Sequence, residues 1–256
     1  VITGRDTAFV LRTWPLRESD FVVSVYAKEY GRIRGVARGA TKPKGRWAGA
    51  LDAMTEVSLE WKAREGEELL SLTDGSIVRS PYRAELSLET TWALAFVAEL
   101  VDLTAPAGDA DETLYRLLRA AVDAALAKAP PVGIARYVQA WVLRLHGILP
   151  DEAACVACGE ALREGGTWHW SMHGIACGRC HRGEEGVSVL PEDLAFLEAT
   201  RRVSPSAIGV VDPAVLRRVG NLLRHVTREA LGRELRSERF LDELDRGGPN
   251  GGPREG

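Results

Sequence analysis

Cys155-Val-Ala-Cys158 and Cys177-Gly-Arg-Cys180 stand eighteen residues apart in a chain of 256 residues. The spacing C-x2-C-x18-C-x2-C lies within the range of zinc sites. Each C-x2-C turn presents two thiolates to one ion, and two such turns complete a tetrahedron. Gly159 and Gly178 directly follow Cys158 and Cys177, which favours tight turns around a metal. WHWSMHG, between the pairs, reads as strand material of a ribbon. Four thiolates leave no coordination position for water, so the expected Zn2+ is structural, one per chain, rather than catalytic. The His-x-Glu and Pro-Cys-x-x-Cys signatures of a deaminase are absent. His169, His173 and His181 are expected beside the site or on the surface, not as ligands.

Disulfides are the competing use of these cysteines. VITGRDTAFV lacks the basic and apolar regions of a signal peptide, and no apolar run approaches the ~20 residues of a membrane span. The expectation is a cytoplasmic, nucleoid-associated protein with no membrane partner, where a reducing compartment favours metal over disulfide.

Ahead of the cysteines the sequence changes period once. Ala8–Trp14, Phe21–Tyr26, Ile33–Arg38, Thr55–Trp61, and Leu69–Thr73 with Ile77–Val78 read as short strands, rich in β-branched and aromatic residues. After Pro81 the pattern is helical. Helices are expected over Leu86–Leu103, from Asp111 to Pro130, and over Ile134–His146, with Gly147 as the stop. Helices return at Pro191–Thr200 and across Asp212–Leu244, where Asp212-Pro213 is an N-cap followed by proline. The order predicts an α+β chain: residues 1–80 a five-stranded barrel, 81–150 helical, 151–186 the zinc-binding insert, 187–246 helical again, and 247–256 a disordered tail. An OB-type barrel fits five such strands, and an SH3-like barrel or sandwich fragment fits the pattern as well.

Charge is sorted along the chain although the formal net charge is only −3. Seven basic residues between Lys28 and Trp47 stand against the single acid Glu29, and the block from Ala48 to Gly75 reverses the balance. A polyanion site must therefore be local. Arg32 and Arg34 flank Ile33 and share one face of a strand. Arg38, Lys42, Lys44 and Arg46 follow among glycines, with Trp47 after them as either a base-stacking platform or a core residue. A solvated basic loop is the bland alternative. In the last helices Arg224 and Arg228 are candidate contacts to a partner or DNA, although their arginines alternate with acids suited to i,i+4 pairing. No GxSxG, P-loop or GxGxxG pattern occurs, and no nucleophile–base arrangement stands out, so no catalysis is expected.

The stretch AFVLRTWPLRESDFVVSVYAKEYGRIRGVARGATKPKGRWAGALDAMTEVSLEW resembles the N-terminal domain of the bacterial RecO family. The specific parts are AFVL, the ESD turn, GRIRGVARGA with its following basic residues, and GALDAMTEVSLEW. The two C-x2-C pairs and the ending LLRHVTREALGRELRSERFLDEL extend the likeness over most of residues 5–245. The resemblance implies an OB-fold domain, a helical domain and a zinc-binding insert. It implies a non-enzymatic mediator of DNA repair and homologous recombination. Such proteins bind single- and double-stranded DNA, anneal complementary strands, work with RecR, and help load RecA onto DNA coated by single-stranded-DNA-binding protein. It also implies recognition of that protein's acidic C-terminal tail by the helical domain. The alternative reading is a zinc-ribbon adaptor between proteins that does not touch DNA.

Overall fold

The computed structural model describes residues 2–245 apart from residues 43, 44, 64, 65, 67, 182 and 184. Lys44 and the expected tail 247–256 therefore lie outside the described residues. Two compact units divide between Leu126 and Ala127.

The first unit is a closed ring of five strands with two helices on its outside. β1 (Ile2–Pro15), β2 (Phe21–Ala27), β3 (Gly31–Ala37), β4 (Glu56–Ala63) and β5 (Leu70–Arg79) run in the order β1-β2-β3-β5-β4 and close back onto β1. Every pairing is antiparallel except β3 with β5, where Gly35–Ala37 lie beside Leu70–Leu72. Alternation explains the core: Ala8, Val10, Val23, Val25, Val57 and Leu59 all point inward. This is the OB-like arrangement of short strands. β1 starts six residues before Ala8, and the two segments expected over 69–78 form one strand, β5. Gly75 makes that continuity possible, since a Cβ there would lie 2.6 Å from Cζ3 of Trp47.

Helix α1 (Leu88–Thr104) starts at the Ser87 cap, whose hydroxyl accepts from Thr90 N–H at 3.2 Å. It packs against β1 and β2, and α2 (Glu112–Leu126) lies beside it. Buried Glu56 of β4 fixes α2: it accepts from the Tyr115 hydroxyl at 2.7 Å and from Arg119 at 3.0 Å. Phe9 of β1 meets the Tyr115 ring with centroids 5.1 Å apart.

The second unit joins α3 (Pro131–Leu145), α4 (Pro191–Arg202), α5 (Pro213–Leu231) and α6 (Glu238–Asp245) to a small antiparallel sheet. Its strands β6 (Gly166–His169), β7 (Gly174–Ala176) and β8 (Gly186–Val189) run in the order β7-β6-β8. Gly147 ends α3 at φ +67°, and Asp212 caps α5 by accepting from Ala214 N–H at 2.7 Å. The helical stretch expected over 212–244 is interrupted at Gly232, which adopts φ +66°. One core serves both parts: Leu162, Trp168 and Ile175 from around the sheet pack with Leu143, Leu197 and Leu222 from the helices. No helix among the described residues is long and apolar enough to cross a membrane.

Candidate metal centre and nucleic-acid face

The four cysteines converge. Their sulfurs all lie within 4.8 Å of one another, and among the described residues no other group of His, Cys, Asp or Glu forms such a cluster. Tetrahedral zinc thiolate bonds of ~2.3 Å imply S···S separations of ~3.8 Å, and Sγ of Cys158 and Cys177 are 3.9 Å apart. All four are free thiols, so the disulfide alternative is not realised. The turns are local in origin. Gly159 N–H donates to the Cys155 carbonyl at 2.8 Å with Gly159 at φ +73°, and Cys180 N–H donates to the Cys177 carbonyl at 2.9 Å. Gly178 needs no such conformation.

Electrostatics explain why a cation fits. Burial opposes ionisation of Cys155, but N–H groups of Cys177, Cys158 and Ala157 outweigh it and hold the thiol down to about 6. The sulfurs of Cys158 and Cys177 crowd Cys180 and push it up to about 12. Four thiolates at this spacing cannot ionise together without a positive ion between them. A soft divalent ion held by all four sulfurs meets that need. Among the described residues no histidine joins the four sulfurs as a ligand group: His181 follows Cys180 and donates its backbone N–H to the Cys177 carbonyl at 2.9 Å, while His173 Nδ1 lies 3.4 Å from Glu229.

In the first unit, Arg32 and Arg34 do share the outer face of β3, with Ile33 turned toward the core. Arg32 Nε donates to the Ala105 carbonyl at 2.8 Å. Burial, then the charge of Arg34, holds its guanidinium below its ordinary range. Arg34 is exposed, 3.8 Å from the buried carboxylate of Asp102. Arg38 and Lys42 extend into solvent from the β3–β4 connection, and Arg46 donates to the Thr73 carbonyl. Trp47, for which the sequence left two placements, takes the core: it is 2% exposed and its indole N–H donates to the Arg38 carbonyl at 3.1 Å. Its ring is sealed between strands and offers no face to a base, so its inclusion among DNA-contacting residues is corrected. Two clefts open along β3. One of about 500 Å³ is lined by Arg32, Arg34, Glu68 and Leu69, and one of about 490 Å³ by Arg17, Val36, Arg38 and again Glu68 and Leu69.

The sequence matches the family description Recombination protein O N terminal over residues 2–81 and Recombination protein O C terminal over residues 85–239. The chain belongs to the RecO family. It is 35% identical to the DNA repair protein RecO of Koribacter versatilis over 170 residues, covering 66% of this chain and 69% of that one. Against DNA repair protein RecO of Geobacter metallireducens it is 31% identical over 244 residues, covering 94% and 98%, respectively. Against that of Pelotomaculum thermopropionicum the figures are 32% over 243 residues, 93% and 93%. RecO family membership supports a role in DNA repair and recombination, with DNA and recombination-pathway partners in general.

Two further sequence candidates are engaged inside the second unit. Arg224 pairs with Glu238 at 3.4 Å and with Asp242, so it docks α6 onto α5. Arg228 lies 3.5 Å from Glu234 and 3.0 Å from His225 Nδ1. Leu223, the neighbour of Arg224 on α5, is fully buried. Sequence reasoning overlooked three residues of the first unit. Arg12 and Trp14 lie on the same outer face as Arg34, and Arg17 lines the cleft beside Arg38. The signal for Arg17 was present, since PLRESD is a turn beside a strand end. Arg12 and Trp14 carried no such signal.

Proposed function

We propose that this RecO-family chain is a non-enzymatic recombination mediator. It binds single- and double-stranded DNA, anneals complementary strands and, with RecR, helps load RecA onto DNA coated by single-stranded-DNA-binding protein. The observation that carries the reading is the row of cations along β3 and the connection after it: Arg32, Arg34, Arg38, Lys42 and Arg46 in an otherwise mildly acidic RecO-family chain. Lys44 belongs to the same stretch by sequence. Cations on an OB-like face lower the repulsion between two phosphate backbones, which is the physical obstacle to annealing. The chemistry needs no bond breaking in the protein and no nucleotide hydrolysis. Zn2+ on Cys155, Cys158, Cys177 and Cys180 would supply charge neutralisation and a cross-link, not reactivity. The acidic C-terminal tail of single-stranded-DNA-binding protein is the partner we assign to the helical part, and the cytoplasm is where such DNA is met.

The test is annealing of complementary strands with single-stranded-DNA-binding protein present, wild type against a variant with Arg38, Lys42, Lys44 and Arg46 all changed to alanine. Annealing by the wild type and its loss in the variant are expected. The slope of log K against log salt should fall by ~0.7 for each phosphate contact removed. Unchanged annealing and unchanged slope would sink the assignment of this face.

A further inference from the structure

β1 does not alternate along its whole length. Val10 pairs with Val25 and Arg12 with Ser24, leaving Leu11 as an extra residue opposite no partner. Strict alternation from inward-facing Val10 would carry Arg12 and Trp14 into the core. The bulge reverses the phase, so both side chains emerge on the outer face. Register across the three strands then builds two rows, Arg12–Ser24–Arg34 and Trp14–Val22–Val36. Within them the Arg12 guanidinium lies 5.0 Å from the Trp14 ring centroid and that of Arg34 lies 5.4 Å from it. Ser24 is buried and donates to Asp102 of α1 at 2.6 Å, which puts the Asp102 carboxylate next to Arg34. Trp14, Val22 and Val36 stay half-buried, whereas Phe9, on the same strand as Trp14, is fully buried against Tyr115 of α2.

We infer that Trp14, with Arg12 and Arg34 against it, is a stacking platform for the bases of a single DNA strand. This deepens the DNA-binding reading and rests on it. A half-exposed indole beside apolar Val22 and Val36 offers surface to an unpaired base, and guanidinium planes stack on bases as well as on indole. The occupant is anionic, because Arg12, Arg17, Arg32, Arg34 and Arg38 border the patch and its clefts and outnumber the acids there, which are Asp20, Glu68 and the buried Asp102 beside Arg34. A duplex keeps its base faces stacked inside and presents only phosphates, sugars and base edges. The platform therefore distinguishes single from double strands, while the cations of the β3–β4 connection serve both.

The experiment compares wild type, Trp14→Leu and Trp14→Phe in the full chain, binding a short oligothymidylate and a duplex of equal length across a salt series. Trp14→Leu should weaken the single strand roughly tenfold, leave the duplex unchanged and leave the salt slope unchanged, since no charge is removed. Trp14→Phe keeps an aromatic face and should bind the single strand more tightly than Trp14→Leu. Equal losses on both DNAs, or no loss on either, would overturn the platform. Should Trp14→Leu lower the melting temperature, wild-type protein photocrosslinked to a bromodeoxyuridine oligonucleotide decides: attachment to the peptide holding Trp14 supports the inference, and attachment only elsewhere rejects it. Failure of the wild type to bind either DNA would instead bring down the DNA reading itself.

Discussion

Arg136 Nη1 of α3 donates to Glu238 Oε1 of α6 at 2.8 Å, and both side chains are buried. The guanidinium fits there because position 220 on α5 has no side chain: a Cβ at Gly220 would lie 2.7 Å from Arg136 Nε and 2.8 Å from its Cζ. Arg136 also donates to Gln139 at 2.9 Å, so it has little freedom to retreat. Gly220→Ala should therefore destabilise the second unit. Overpacking costs ~1–3 kcal/mol, which outweighs the ~1 kcal/mol that alanine gains over glycine in a helix. Arg136→Met in the same background checks the cause. Urea unfolding of the four-member cycle should give a coupling of at least ~0.5 kcal/mol, and simple additivity would show that the two positions do not collide.

The shared core of the second unit predicts what metal loss does. Cys155 is buried in the cluster that holds Trp168, Leu197 and Leu222. Structural zinc is worth ~10 kcal/mol in small domains, comparable to the whole stability of many proteins. Metal analysis should find one zinc per chain. Chelation should then release amide protection across α4 and α5 as well as the cysteine segment, as read by hydrogen exchange. Exchange confined to residues 151–186 would mean the insert is an independent module. Cys155→Ser should be more damaging than Cys158→Ser, whose sulfur is exposed.

What the sequence disclosed follows from how far each determinant reaches. The cysteine cluster was legible because chelation is written in local spacing. The strand-to-helix change at Pro81 and the caps at Asp212 and Gly147 are also local. The outward turn of Arg12 and Trp14 was not legible, since nothing in AFVLRTW marks Leu11 as a bulge; the bulge exists only in the pairing with β2. The placement of Trp47 likewise depends on Gly75 from β5, nearly thirty residues away, leaving room for its ring. Arg224 read as a surface cation because Glu238 and Asp242 meet it only after Gly232 turns the chain.

Trp47 offers a direct check on that placement. Trp47→Ala removes a buried side chain from the centre of the five-stranded ring and should cost ~3–5 kcal/mol. At a temperature where the variant is still folded, its affinity for single-stranded DNA should match wild type once the folded fraction is counted. Gly75→Ala should reproduce part of the destabilisation from the opposite side, because its Cβ would press on the indole. A stable Trp47→Ala that binds DNA poorly would place the ring on the DNA instead.

Acid should loosen the second unit through Glu152. Burial alone would raise its carboxyl. Hydrogen bonds from Arg201, at 2.7 Å, and from Arg144 outweigh burial and hold it below its ordinary value of 4.5. The sign follows from linkage: a carboxylate that is harder to protonate when folded adds stability above the unfolded pKa, and that stability drains away as pH falls through the lowered one. Unfolding free energy should thus be level near neutrality and decline below about pH 4.5. Glu152→Gln should lose on the order of 3 kcal/mol at neutral pH, because it strands Arg144 without its carboxylate. It should also flatten the acid limb. Urea midpoints collected from pH 7 to pH 3 give both quantities (~7 and ~3 bracketing the glutamate range), and an acid limb equally steep in Glu152→Gln would assign the loss to other carboxylates.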